Sequence, residues 1–286
     1  MHANYVTSLK RAHTCGGCAA RVSGICGGAT DQELPRIGGA AAIVEFQRGK
    51  TFIREGDAAT FLYIVILGSA KLYKALPDGR RQIIGFTQAT TLLGLTGGKT
   101  YDVTAEAVED IQMCRMPSAH LHLVASELSA MGLRMLSLAM ADLGRAQDHA
   151  LLLGRKTAAE KVASFLLLQA PELSSKSAGP LEVRLPMTRM DIADYLGTTP
   201  ETISRSLWAL DRLGAITITG AKGVIIRDLA RLETIAHALF GKPVAARTDV
   251  TFRVASASVI RSKTWQRNRA RNRWGAHLRS KLRSAP

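Results

Sequence analysis

No stretch of this 286-residue chain approaches 18 uninterrupted apolar residues, and its N-terminus lacks the hydrophobic segment of a secretory leader. A membrane-spanning helix and export are therefore not expected, and the cytoplasm is the default compartment. The glycine fingerprint of a flavin or nicotinamide site is missing too. None of the seven histidines pairs with another at metal-ligand spacing on a helix: His120 and His122 are two apart and cannot share a helical face. With no catalytic set legible, an enzyme is not expected. Acids are scarce after residue 240, where Asp249 alone stands among twelve Lys and Arg, so this tail carries +11 of the net charge of +15. The rest of the chain is only mildly basic, and charge alone does not argue for nucleic acid.

Cysteine is sparse but placed. Cys15, Cys18 and Cys26 crowd into a glycine-rich segment with little to bury, and Cys114 lies far off in Ile111-Gln112-Met113-Cys114-Arg115-Met116. In a reducing compartment this spacing argues for metal over disulfides, and four thiolates suit either a tetrahedral zinc or an iron–sulfur cluster. Three ligands on a loose arm and one on a folded body make a sensor-like layout, because losing the metal would release the arm. An electron carrier built on the same cysteines is a weaker reading, since one thiol is remote.

Residues 40–116 alternate short apolar runs with glycine turns, with strands expected over 43–46, 61–67, 70–76, 82–86, 102–108 and 111–116. Many short strands at this spacing imply a small antiparallel barrel or roll. From Ser118 to about Leu153 the pattern becomes helical, with Leu121, Val124, Leu128, Met131, Met135, Leu138, Leu143 and Leu151 in a stripe. One continuous helix is expected there, either a coiled-coil dimer seam weakened by Ala130, Met131, Met135, Ala139 and Met140 or a helix packed on its own barrel. A helix from Lys156 to about Gln169, a loop over 171–180 and a strand over 181–185 follow.

The strongest pattern comes next. Thr188-Arg189-Met190-Asp191 is a near capping box opening a short helix with Ile192, Ala193, Tyr195 and Leu196. Gly197 allows a sharp turn, Thr199 is an N-cap and Pro200 suits the first helical position. At about 100° per residue, Glu201, Ser204, Arg205 and Trp208 share one face, while Ile203, Leu207 and Leu210 share the other. An acceptor, a hydroxyl and a guanidinium on one face are the groups that read base edges in a major groove. Thr199 and Thr202 complete the candidate DNA-contacting set. Residues 215–219 and 223–226 flank Gly220-Ala221-Lys222 as a hairpin, so helix, turn, helix and wing form a winged helix-turn-helix.

Barrel, helix and winged helix-turn-helix, in that order and with these motifs, resemble the CRP/FNR superfamily of bacterial transcription regulators over about residues 15–240. The four cysteines resemble those of the FNR-type oxygen sensors, and the gap of seven between Cys18 and Cys26 is nearest the FnrN-like branch. The resemblance implies an α+β fold. Its parts would be a cysteine-bearing arm (1–30), a cyclic-nucleotide-binding-like antiparallel β-roll (31–116), a dimerisation helix (117–153) and the winged helix-turn-helix (154–240). The basic tail (241–286) has no counterpart in the resemblance and reads from its own composition either as a disordered arm adding nonspecific DNA affinity or as a non-native reading frame or fusion remnant. The resemblance further implies a [4Fe–4S] cluster on Cys15, Cys18, Cys26 and Cys114, with zinc as the lesser alternative, and a homodimer that loosens when oxygen shrinks the cluster. Glu201-Thr202-Ile203-Ser204-Arg205 matches the group's Glu-x-x-Ser-Arg reading motif, which implies double-stranded DNA with TTGAT half-sites. Loop 77–80 is where the resemblance places a contact with RNA polymerase. One departure is informative: Leu95 stands where cyclic-nucleotide-binding relatives carry a Glu, and no arginine lies nearby to pair a phosphate, so no cyclic nucleotide is expected.

Overall fold

The computed structural model describes Cys15, Cys18, Arg21, residues 24–170 and residues 180–237. The tail after residue 240, the loop 171–179 and much of the 1–30 arm therefore lie outside the described residues. The first elements among the described residues are a 3-10 turn, Ile25–Gly28, and a short helix α1, Leu34–Gly38. Eight strands follow: β1 Ala42–Phe46, β2 Thr51–Ile53, β3 Phe61–Leu67, β4 Ala70–Ala75, β5 Arg81–Phe86, β6 Leu92–Leu93, β7 Thr104–Ala107 and β8 Ile111–Pro117. They form two antiparallel four-stranded sheets, ordered β1-β8-β3-β6 and β2-β7-β4-β5, which is the expected roll. Val44, Ile53, Tyr63, Val65, Leu93 and Met113 fill it, and the rings of Phe46, Phe52 and Tyr63 pack together at 5.2–6.4 Å. The sequence pattern missed β2 and β6, three and two residues long, because alternation cannot be read over so few positions.

The single long helix is not observed. Residues 118–155 form two helices, α2 Ser118–Glu127 and α3 Ser129–Arg155, bent by 118° at Leu128. Leu128 is extended (φ −108°, ψ 95°) and its carbonyl accepts from Met131 and Gly132. No proline or glycine forces this break. Burial does: the bend sends Leu121 and Val124 from one helix and Met131 from the other into the same apolar cluster, with Ile25, Ile37 and Met116. Met131 is thus an intramolecular core residue, and Met135 and Leu138 pack partly against the same cluster. The apolar row left exposed on α3 is Leu133, Leu136, Met140 and Leu143, about half exposed or more. No single described helix is long and apolar enough to cross a membrane.

Helix α4, Ala158–Gln169, opens on a full capping box between Thr157 and Glu160. After it come β9 Leu181–Arg184, α5 Arg189–Leu196, α6 Pro200–Arg212, β10 Ile216–Ile218, β11 Gly223–Ile226 and α7 Leu229–Ala236. Strands β10, β11 and β9 form an antiparallel wing in that order. Phe165, Leu166, Ile192, Leu196, Ile203, Leu207, Ile216 and Val224 make the core of this half, and Ile83 and Val108 of the roll belong to it as well.

Candidate DNA-reading helix and thiol centre

Local chemistry fixes where α6 begins. Thr188 Oγ1 accepts from the Asp191 N–H at 3.1 Å, and the Asp191 carboxylate accepts from the Thr188 N–H at 3.0 Å, so α5 starts on the capping box. Gly197 then takes the left-handed conformation (φ 60°, ψ 48°) that ends α5, a conformation disfavoured for any residue with a Cβ. Thr199 Oγ1 accepts from the Thr202 N–H at 3.3 Å, and Pro200 occupies the first turn. Burial then separates the two faces of α6. Ile203, Leu207 and Leu210 are at most 2 % exposed, while Glu201, Arg205 and Trp208 face outward and Ser204 is half-buried.

Each outward group is in a defined state. The Glu201 carboxyl is held below its ordinary range by its own backbone N–H, by the Thr199 hydroxyl and by nearby Arg205, so it stands as an acceptor. The Ser204 hydroxyl donates to the Pro200 carbonyl at 2.9 Å, which leaves its lone pairs to face outward. The hydroxyls of Thr199 and Thr202 bond each other at 3.1 Å, so in this state both serve the cap. A helix presenting an acceptor and a guanidinium beside a wing is a DNA-reading element.

The second site gathers the four cysteines. Cys15, Cys18, Cys26 and Cys114 are free, half-buried and packed against one apolar cluster that includes Ile25, Ile37, Ile64, Leu121 and Met131. Cys114 lies in β8 opposite Ile43 on one side and Ile64 on the other, and Cys26 sits in the 3-10 turn. Burial pushes the Cys26 thiol up to about 11, helped by Cys15 and Cys18, and pushes Cys114 up to about 12, helped by Cys26, Cys15 and Cys18. Each of these two thiols thus senses the others. Among the described residues, no group of three or more His, Cys, Asp or Glu side chains stands arranged to hold a single metal ion.

Two contacts of this site were not legible in the sequence. A Cβ on Gly38 would lie 2.7 Å from Cys15 Sγ, so any larger residue there would have to displace the thiol. Arg134 of α3 donates from Nε to the Gly24 carbonyl at 3.2 Å, which ties the cysteine-bearing turn to the helix carrying the exposed apolar row. At the loop where Leu95 replaces the expected Glu, Thr96 donates to Asp102 at 2.6 Å, and the crevice beside it measures about 40 Å³.

A β-roll joined to a winged helix-turn-helix with an outward reading face defines a DNA-binding regulator with a sensory-type domain. Comparison with known proteins agrees: residues 43–127 match the cyclic nucleotide-binding domain model, and residues 160–235 match the Crp-like helix-turn-helix domain model. The chain is 39% identical to the nitrogen fixation regulation protein FixK of Bradyrhizobium diazoefficiens, over 79% of this chain and 95% of that one. It is 37% identical to the transcriptional activator protein FnrL of Cereibacter sphaeroides, over 77% and 90% of the two chains. The solved structure of FixK2 from Bradyrhizobium japonicum superposes with a TM-score of 0.65 at 35% identity, covering 69% of this chain and 98% of that one. This chain belongs to the CRP/FNR family of transcription regulators.

Proposed function

We propose that this chain is an oxygen-responsive transcriptional activator that works as a homodimer in the cytoplasm, with Cys15, Cys18, Cys26 and Cys114 holding a [4Fe–4S] cluster when oxygen is low. The observation that carries the reading is the gathering of all four cysteines of the chain on one apolar patch. Burial and mutual repulsion raise the Cys26 and Cys114 thiols further above their ordinary value, so a cationic inorganic core would be what holds them as thiolates. A single zinc asks four sulfurs to converge within about 2.3 Å of one point, whereas a cubane takes each thiolate on a different iron. The likeness of the Cys15, Cys18 and Cys26 spacing to that of FNR-type sensors is what favours the cluster. When bound, it would supply an oxygen-labile centre.

The chain's own residues carry the consequence. The Gly24–Arg134 bond and the packing of Ile25 beside Met131 pass the order of the arm to α3. Leu133, Leu136, Met140 and Leu143 then form the seam with a second copy. Two copies of α6 stand about one DNA turn apart and read a palindrome of TTGAT half-sites. Arg205 makes the bidentate contact with guanine, Glu201 accepts from cytosine and Ser204 contacts a neighbouring base, with Thr199 and Thr202 at the groove edge. The regulon we infer is genes for life at low oxygen, and the name of FixK, a nitrogen fixation regulation protein, suggests nitrogen fixation among them. RNA polymerase is the partner for loop 77–80, and no cyclic nucleotide is required. The test is protein purified without oxygen. A brown protein that binds the palindrome and loses both colour and binding in air supports the reading, whereas a colourless protein that binds equally in air supports structural zinc.

A further inference from the structure

The roll and the helix-turn-helix meet over buried charge. Lys71 on β4 is 6% exposed, and its ammonium lies 2.9 Å from Glu106 of β7 and 2.8 Å from Asp191 of α5. Arg81 on β5 reaches Asp191 at 3.1 Å through one nitrogen and Asp194 at 2.7 Å through another. Gln82 donates to the Asp194 carbonyl at 2.6 Å, and Arg184 of β9 reaches back to Glu109 at 2.7 Å. Around these charges Phe86 packs against Phe165 and Tyr195, at 6.0 and 5.5 Å.

We propose that Lys71 and Arg81 are positioning residues for DNA reading: the roll, through Asp191, sets the angle at which α6 is presented. Three observations carry this. Buried ion pairs add little net stability over apolar packing but demand one geometry. Asp191 is also the carboxylate that caps α5, so the roll grips the module at the residue that starts its first helix. The joint leaves Glu201, Arg205 and Trp208 exposed, so docking orients the reading face without masking it. A module swinging freely would still bind one half-site, but it would lose the fixed spacing that a two-half-site target rewards.

The inference rests on the dimeric, palindrome-reading function proposed above. Full-length wild type, Lys71→Gln, Arg81→Gln and Gln82→Ala would be titrated by fluorescence anisotropy on a palindrome, on a single half-site, and on palindromes with one or two base pairs added between half-sites. Thermal unfolding would be recorded alongside. The expected result is that Lys71→Gln and Arg81→Gln lose at least about tenfold of the palindrome's advantage over the half-site. Half-site affinity should hold, and discrimination between spacings should flatten. A merely structural role lowers both affinities together and leaves their ratio alone. Should Lys71→Gln fail to fold, the more exposed Arg81→Gln and Gln82→Ala decide the matter. An unchanged ratio and spacing profile in folded variants overturns the inference, as does a rise in palindrome affinity, which would mean that docking restrains binding. A wild type with no preference for the palindrome removes the dimeric reading and this inference with it.

Discussion

The β-roll is gripped on two sides by opposite chemistry. On the side of the helix-turn-helix, Lys71 and Arg81 meet Glu106, Asp191 and Asp194, so the two cations and three acids of this joint pair with one another. On the other side, four thiols lie among Ile25, Ile37, Ile64 and Met131, and each ionised sulfur would repel the rest. A joint complete in its own charges holds whenever the chain is folded. A joint made of mutually repelling thiols depends on what engages them, and that is the asymmetry a sensor needs.

The largest effect should come from breaking the complete joint. Lys71→Met leaves Glu106 and Asp191 partly buried without their shared ammonium, and urea unfolding should show a loss of about 3–5 kcal/mol. Asp191 retains Arg81, so the lower end is expected. The matching perturbation on the thiol side is Gly38→Ala, whose Cβ must displace Cys15. A loss of about 1–3 kcal/mol is expected there, together with reduced iron uptake during anaerobic reconstitution. Equal iron content in this variant would show that Cys15 is free to move and that the thiol side is looser than described.

The two sides also differ in how far they can be read from sequence. Capping boxes at Thr157–Glu160 and Thr188–Asp191, the turn at Gly197 and the cap at Thr199 are all made by residues at most a few positions apart, so the helix-turn-helix was legible in outline. Helix α7 carried an equally local signal, the Asp228 cap, and went unread. The bend at Leu128 had no local sign, since it is imposed by the cluster that receives Leu121 and Met131. Lys71 sits among Ala70, Leu72 and Tyr73, where a lysine reads as the solvent side of a strand, and only the approach of Asp191 makes it interior. Gly38 is unremarkable until Cys15 is beside it. Residues that act across long sequence separations leave no pattern in a single chain.

A further contrast tests specificity. Arg205→Ala should cost about 1–3 kcal/mol at its own base pair and relax discrimination there. Equal weakening on matched and scrambled DNA in a binding titration would reduce Arg205 to a phosphate contact. The smallest effect concerns His149 of α3, whose ring stacks on Tyr195 at 4.2 Å while Nε2 bonds the Tyr195 carbonyl at 2.8 Å. Burial, followed by the charge of Lys161, outweighs that bond and holds the imidazole below its ordinary value. The unfolded chain therefore binds the proton more readily, and stability should fall as pH drops below about 6.5. His149→Gln should flatten that slope in thermal unfolding between neutral and mildly acid pH.

The most direct measurement is the affinity of anaerobically prepared protein for a palindromic TTGAT site, taken before and after exposure to air, for wild type and Cys18→Ser. The account predicts tight binding only for the wild type kept from oxygen, with iron present, and weak binding in the other three cases. Wild type exposed to air, or Cys18→Ser, that occupies the site as tightly as the wild type kept from oxygen would contradict it.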